Sequence, residues 1–208
     1  MRHRTRQPLN SRNEAPRYTE DAAALEQLFR QRPDPWDFFT DPYESARLTH
    51  LQELVQQVPH RSVLEVGCAE GALTAWLTTV AEHVVALDIS ATACERARTR
   101  APKATVLVEN IGSYTPQMVF DLVVCAETLY YMRYPAAVLA QLHHLGTAVL
   151  VTYTRHERKR LDSIVAGFPP ARIDETFVYT VRKFPPKKRA CRCLLWGPVD
   201  EKPRADAK

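Results

Sequence analysis

The chain has 208 residues, 45% of them hydrophobic and 25% charged, which suits one medium α/β domain with its own core and is short for two. No run of about 18 apolar residues occurs, so no membrane-spanning helix is expected. The net charge of +4, from 28 basic against 24 acidic residues, is too small to argue for a nucleic-acid partner on charge alone.

Residues 1–18, MRHRTRQPLNSRNEAPRY, are basic and polar and lack the apolar stretch of a secretory signal. A disordered tail is expected there, with an Arg-rich transit peptide as the alternative, and residues 201–208 are expected to form a second disordered tail. EDAAALEQLFRQ (20–31) reads as a short helix with Leu25, Leu28 and Phe29 along one side. RPDPWDFFTDPYE follows, with three prolines and four aromatics, too aromatic for a mere linker. Glu44 to Val58 carries an apolar stripe at Leu48, Leu51, Leu54, Val55 and Val58 and is expected to be helical until Pro59 stops it. Residues 19–58 are thus expected to form a helical cap over a core spanning 59–200.

From residue 62 the pattern alternates. A strand at 62–67 precedes a helix at 71–80 whose apolar residues Leu73, Trp76, Leu77 and Val80 recur at i, i+3, i+4 and i+7. A strand at 83–88 precedes a helix opened by Ser90 as N-cap. Strand 104–109 runs into a loop, strand 120–126 leads to a helix near 135–145, and strand 147–153 closes the run. Near-continuous Val/Leu strands between helices predict a mostly parallel sheet covered on both faces. At the end, ETFVYTVRKF and RACRCLLWG are β-like runs joined by PPKK, an antiparallel hairpin at one sheet edge. The basic turn in VRKFPPKKRACR is read either as solvated or as contacting an anionic or sugar partner.

Five cysteines, an odd number, give no disulfide framework and point to a reducing cytoplasm. Cys68, Cys94 and Cys125 fall in core elements, and Cys191 and Cys193 are expected on one strand face. A C-x-C without partner histidines does not make a zinc site, and no metal is expected.

The turn VLEVGCAEG (63–71) is where a ligand is expected. Its spacing, Glu65-x-Gly67-x-Ala69-x-Gly71, is neither the G-x-G-x-x-G of dinucleotide folds nor a P-loop. Small residues let a ligand lie against the backbone, while a carboxylate at the strand tip disfavours a diphosphate and favours a cation. S-adenosylmethionine is such a ligand: sulfonium, ammonium and carboxylate without phosphate. Asp88, ending the second strand, is placed for the two ribose hydroxyls, and Asn110 and Ile111 for the adenine edge and face. Glu127 follows the fourth strand where the crevice opens.

The turn, the second-strand acid, five alternating strands and a terminal hairpin resemble the Rossmann-like class I S-adenosylmethionine-dependent methyltransferases, with a seven-stranded sheet. A narrower resemblance covers residues 34–153: DPW, PYESARLTHL, LEVGCAEGALT and AETLYYM are similar to the rhizobial nodulation N-methyltransferases of the NodS family. That resemblance implies methyl transfer from S-adenosylmethionine to the free amine of an amino sugar or deacetylated chitooligosaccharide. It also implies that Trp36, Tyr43 and Arg47 fold over the cofactor, Arg47 pairing its carboxylate; packing within the cap is the other reading of Trp36 and Tyr43. The expected cofactor set is therefore Trp36, Tyr43, Arg47, Glu65, Gly67, Cys68, Ala69, Gly71, Asp88, Ile89, Asn110 and Ile111. The segment RHERKRLDS after the fifth strand and the basic hairpin turn depart from the family pattern, so the reaction is read more firmly than the acceptor.

For catalysis, Glu127 is expected to orient or deprotonate the amine, with Tyr130 and Tyr131 shaping the pocket; a structural bond from Glu127 to backbone is the competing role. His156 lies past the fifth strand near the crevice. The rival functions are an O- or N-methyltransferase of another small natural product and a nucleic-acid methyltransferase using the basic ends. Against the second, no N-P-P-Y/F-type string follows the fourth strand. A module that binds the cofactor without turnover also stays open.

Overall fold

The computed structural model describes residues 22–181 and 186–199. Both expected tails, 1–18 and 201–208, lie outside these residues, as does part of the basic hairpin turn.

Helix α1 (Ala22–Gln31) comes first, burying Leu25 and Phe29. Helix α2 (Pro42–Val55) starts two residues earlier than its stripe suggests. The reason is local: the Asp41 side chain accepts from Tyr43 N at 2.9 Å, and proline at the first helical position needs no N–H partner. It ends before Pro59 because Gln57 and Val58 close i→i+3 turns onto Leu54 and Val55, and a residue preceding proline is disfavoured in α geometry.

The alternating region follows the sequence pattern closely: β1 (Ser62–Val66), α3 (Ala72–Val80), β2 (His83–Asp88), α4 (Ala91–Arg100), β3 (Thr105–Val108), β4 (Phe120–Ala126), α5 (Pro135–Leu145) and β5 (Gly146–Thr154). Ser90 caps α4 by accepting from Ala93 N. Short 3₁₀ turns occupy Leu129–Tyr131 and Arg155–Glu157. An additional helix, α6 (Arg158–Val165), forms where the sequence shows only RHERKRLDS; it buries Leu161 and Val165, one i,i+4 pair too short to announce a helix. The hairpin is β6 (Ile173–Val181) and β7 (Lys187–Trp196).

The sheet has seven strands in the order β3-β2-β1-β4-β5-β7-β6. β1 to β5 are parallel, and β7 runs antiparallel to both β5 and β6. Alternation along β4 sorts the core onto two faces. Val123 and Cys125 join Leu139, Leu142 and Leu161 from α5 and α6, while Leu122 and Val124 join Leu51, Leu54, Leu73 and Leu77 from α2 and α3. Each such leucine stabilises the fold by about 1.5–3 kcal/mol when removed from water. Helix α2 is therefore a layer of the core as well as a flank of the crevice. Cys191 and Cys193 share the second face, their sulfurs 3.9 Å apart, and all five cysteines are buried and free. Among the described residues no helix is long and apolar enough to cross a membrane.

Candidate active site

Parallel strands leave their carboxyl ends on one side, and the loops that follow them enclose a cavity of about 470 Å³. Its floor is the first turn. Gly67 (φ 78°) and Ala69 (φ 47°) are both left-handed, and the amides of Gly67 and Cys68 share the Leu87 carbonyl at 2.8 and 3.0 Å. Asp88 holds this turn from β2: Oδ2 accepts from Ala69 N and Oδ1 from Ser90 N, each at 2.9 Å. Burial pushes the Asp88 pKa up, against the pull of the Ser90, Ala69 and Ile89 amides. Asp88, Ile89, Asn110 and Ile111 all line the cavity, as do Gly67 and Ala69.

Three residues expected at the cofactor do not line it. Glu65 is buried and accepts from Thr74 Oγ1 at 2.6 Å; burial lifts its pKa to about 8, so at neutral pH it is chiefly uncharged in this arrangement. Cys68 turns away into a cluster with Ala86, Cys94, Ala97 and Val106. Gly71 is glycine for packing: at φ 79° a Cβ there would lie 2.9 Å from Ala97 Cα, so the residue sets how closely α3 approaches α4. Gly67 has a similar constraint, since its Cβ would meet Thr128 Oγ1 at 2.3 Å.

The upper wall is aromatic. Trp36 packs on Phe29 with centroids 5.1 Å apart and lines the cavity with Tyr131. Asp34 fixes this loop: its amide donates to Glu70 Oε2 at 3.0 Å, and its carboxylate caps the amides of Phe38 and Phe39. Glu26 ties α1 to the start of α4, accepting from Thr92 Oγ1 at 2.6 Å, Ser90 Oγ at 2.7 Å and Thr92 N at 3.1 Å. These bonds, those from Thr92 and Ser90 foremost, lower its pKa to about 2.

Glu127 sits where the crevice opens beyond β4, in left-handed geometry (φ 54°) rare for a residue with a side chain. Oε1 accepts from Thr152 Oγ1 at 3.1 Å and Oε2 from the Tyr130 hydroxyl at 3.2 Å. Burial raises its pKa, and the Arg47 guanidinium opposes that rise. Tyr130 and Tyr131, 4.6 Å apart by ring centroid, complete this corner. Arg47 is only 6% exposed and donates from Nε to Glu44 Oε2 at 2.8 Å. Burial works against its charge, but Glu127 and Glu44 outweigh it, so its pKa is raised.

Other lining residues were not evident from sequence. Phe29, Phe38, Glu44, Thr128, Met132, Arg155, Lys188 and Arg189 reach the cavity with Tyr43 and His156. Arg189 joins the hairpin to α2: Nη2 donates to Glu44 Oε1 at 2.8 Å, Nη1 pairs with Asp41, and the guanidinium lies 3.7 Å from the Tyr43 ring centroid. The aromatic run at 36–39 and the basic hairpin turn were the only signals for this wall. Among the described residues no three His, Cys, Asp or Glu side chains group as metal ligands.

The strand order, the reversed β7 and a cavity over the ends of β1 and β2 define the class I methyltransferase fold. A magnesium protoporphyrin IX methyltransferase from Synechocystis PCC 6803, solved with S-adenosylmethionine, has the same fold at TM-score 0.58 and 15% identity, over 85% of this chain and 97% of that one. The chain belongs to the nodulation protein S (NodS) family, whose model matches residues 20–155. Nodulation protein S of Sinorhizobium fredii is 33% identical over 116 residues, 54% of each chain, and that of Rhizobium tropici is 35% identical over 105 residues, 48% of this chain and 43% of its own. The chain thus spans about half the length of these relatives. The N-methyltransferase NodS of Bradyrhizobium japonicum WM9, solved with S-adenosyl-L-homocysteine, superposes over 87% of this chain and 98% of that one, with TM-score 0.71 and 20% identity.

Proposed function

We propose that this protein transfers the methyl group of S-adenosylmethionine to the free amine of an amino sugar or deacetylated chitooligosaccharide. The observation that carries this reading is the half-buried Glu127 carboxylate, which lines one cavity with the Asp88 turn. The residues present fit the cofactor: a carboxylate at the end of β2, small residues along the turn, apolar Ile89 and Ile111, and a buried guanidinium. Family membership supports the same class of reaction.

The cofactor supplies an electrophilic methyl on a sulfonium. In the proposed roles, Asp88 accepts the ribose hydroxyls, Ile111 packs on the adenine and Arg47 pairs the carboxylate. Trp36 and Tyr43 close the site from above, and their aromatic wall excludes water. When bound, the cofactor would donate that methyl to the amine lone pair with its own sulfur as leaving group, and the nitrogen, cationic after transfer, would release its extra proton to water. Glu127 accepts a hydrogen bond from the attacking amine, aims its lone pair, and stabilises the positive charge that develops. A sugar amine titrates near an α-amino group, at about 7.7–8, so a weak acceptor suffices.

The test follows label from methyl-labelled S-adenosylmethionine into deacetylated and fully acetylated chitooligosaccharides. Label is expected in the first alone, because an amide lone pair is delocalised into its carbonyl. Label in neither, with labelling of a phenolic natural product instead, would favour O-methylation. A ubiquinone biosynthesis O-methyltransferase of Proteus mirabilis, 28% identical over 131 residues, makes that the second reading.

A further inference from the structure

The cavity has a second half whose charges neither the cofactor nor the amine accounts for. β7 runs antiparallel to β5, and the register Thr154↔Cys191 sets Lys188–Ala190 beyond the last paired residue of β5. Continued past β5, that register sets Ala190 level with Arg155, Arg189 with His156 and Lys188 with Glu157, so two segments distant in sequence bring basic side chains to one rim of the cavity. Two of the four Arg and Lys side chains lining the site are already paired, Arg47 with Glu44 and Arg189 with Glu44 and Asp41. Arg155 and Lys188 make no ion pair among the described residues, and both are exposed. Glu127, which follows β4, the neighbour of β5 in the sheet, lines the same cavity and is less exposed than either cation.

We propose that the acceptor carries an anionic oxygen group (phosphate, sulfate or carboxylate) near its amine, and that Arg155 and Lys188 bind it. This deepens the amine-methylation reading and rests on it. An inner carboxylate and an outer pair of cations form the complement of a molecule with an amine at one end and an anion at the other. A concave site with low-dielectric walls focuses such a field and draws the anion in. The arrangement also serves the chemistry. An anion beside an amine raises the amine's pKa and keeps it protonated, whereas pairing that anion with Arg155 and Lys188 offsets the effect and frees the lone pair. A neutral oligosaccharide would gain nothing from either cation.

Matched acceptors test this. Glucosamine 6-phosphate, glucosamine 6-sulfate and 2-amino-2-deoxyglucuronate, which separate the possible anions, are compared with glucosamine as methyl acceptors. At least one charged acceptor is expected to exceed glucosamine about tenfold in kcat/KM, and the ratio to shrink as salt rises. In the double variant Arg155→Gln, Lys188→Gln the same ratio is expected to fall by about tenfold, the scale of two partly screened ion pairs. A ratio near one, or one the variant leaves unchanged, overturns the anion site while leaving amine methylation standing. So does an equal weakening of S-adenosylhomocysteine in the variant, which would assign the two cations to the cofactor's carboxylate. If no amine is methylated, the amine reading fails, and calorimetry on S-adenosylhomocysteine-loaded protein still decides the anion site. N-acetylglucosamine 6-phosphate must bind more tightly than N-acetylglucosamine, and the variant must lose that difference; equal binding overturns the proposal.

Discussion

Replacing Glu127 by Gln isolates the charge that the proposed mechanism needs. The amide matches the carboxylate in size and can still bond both Thr152 Oγ1 and the Tyr130 hydroxyl, which lie 3.1 and 3.2 Å from its oxygens. What disappears is a half-buried negative charge at the point where the attacking nitrogen becomes positive. A hydrogen bond to a charged group is worth about 1.5–3 kcal/mol, and that difference in transition-state energy corresponds to roughly a 10- to 150-fold drop in kcat. KM should change by less than about threefold, because the unprotonated amine meets acid and amide almost equally in the ground state. The assay is initial-rate kinetics with saturating S-adenosylmethionine and a deacetylated oligomer, with thermal melts to show that the variant folds. Burial raises the Glu127 pKa above the ordinary carboxylate range despite Arg47, so below the limb that amine protonation imposes on both proteins the wild-type rate should fall with one further proton, and the variant rate should not. A kcat within threefold of wild type, with KM raised instead, would refute the argument and leave Glu127 a structural residue.

Asp88→Ala should weaken S-adenosylhomocysteine by about 1.5–3 kcal/mol, measured by calorimetry; unchanged affinity would remove Asp88 from the nucleoside site. Glu26→Gln should cost about 1–2 kcal/mol of stability at neutral pH, a discounted figure because the side chain is 20% exposed. Its folded pKa of about 2 lies below its ordinary 4.5, so this stability is fully present above about pH 4.5 and is lost as pH falls toward 2. The gap in melting temperature between wild type and variant should therefore narrow with acid. Gly71→Ala should destabilise by about 1–3 kcal/mol in urea melts, combining a left-handed backbone with a Cβ pressed on Ala97. Indifference to that change would mean α3 and α4 do not approach so closely.

Elements built from short-range pattern were legible in the sequence. The five parallel strands, the Ser90 cap, the edge hairpin and the glycine turn all follow from periodicity and local backbone preference, which act over a few residues. Asp88, Asn110, Ile111 and Glu127 could be placed at the cavity by that logic, since each ends a strand of a parallel sheet and such ends lie together. Local pattern does not report which way a side chain turns or which distant segment meets it. Glu65, Cys68 and Gly71 sit in the same turn as Gly67 and Ala69, yet they face Thr74, the Cys94 cluster and Ala97. Arg189 meets Asp41 and Glu44 across more than 140 positions because β7 returns antiparallel beside β5. Composition and spacing determined the sheet and the level at which a ligand would lie. The close packing of α3 on α4 and the reversal of β7 decided which side chains reach it, because both depend on contacts between residues far apart in the chain.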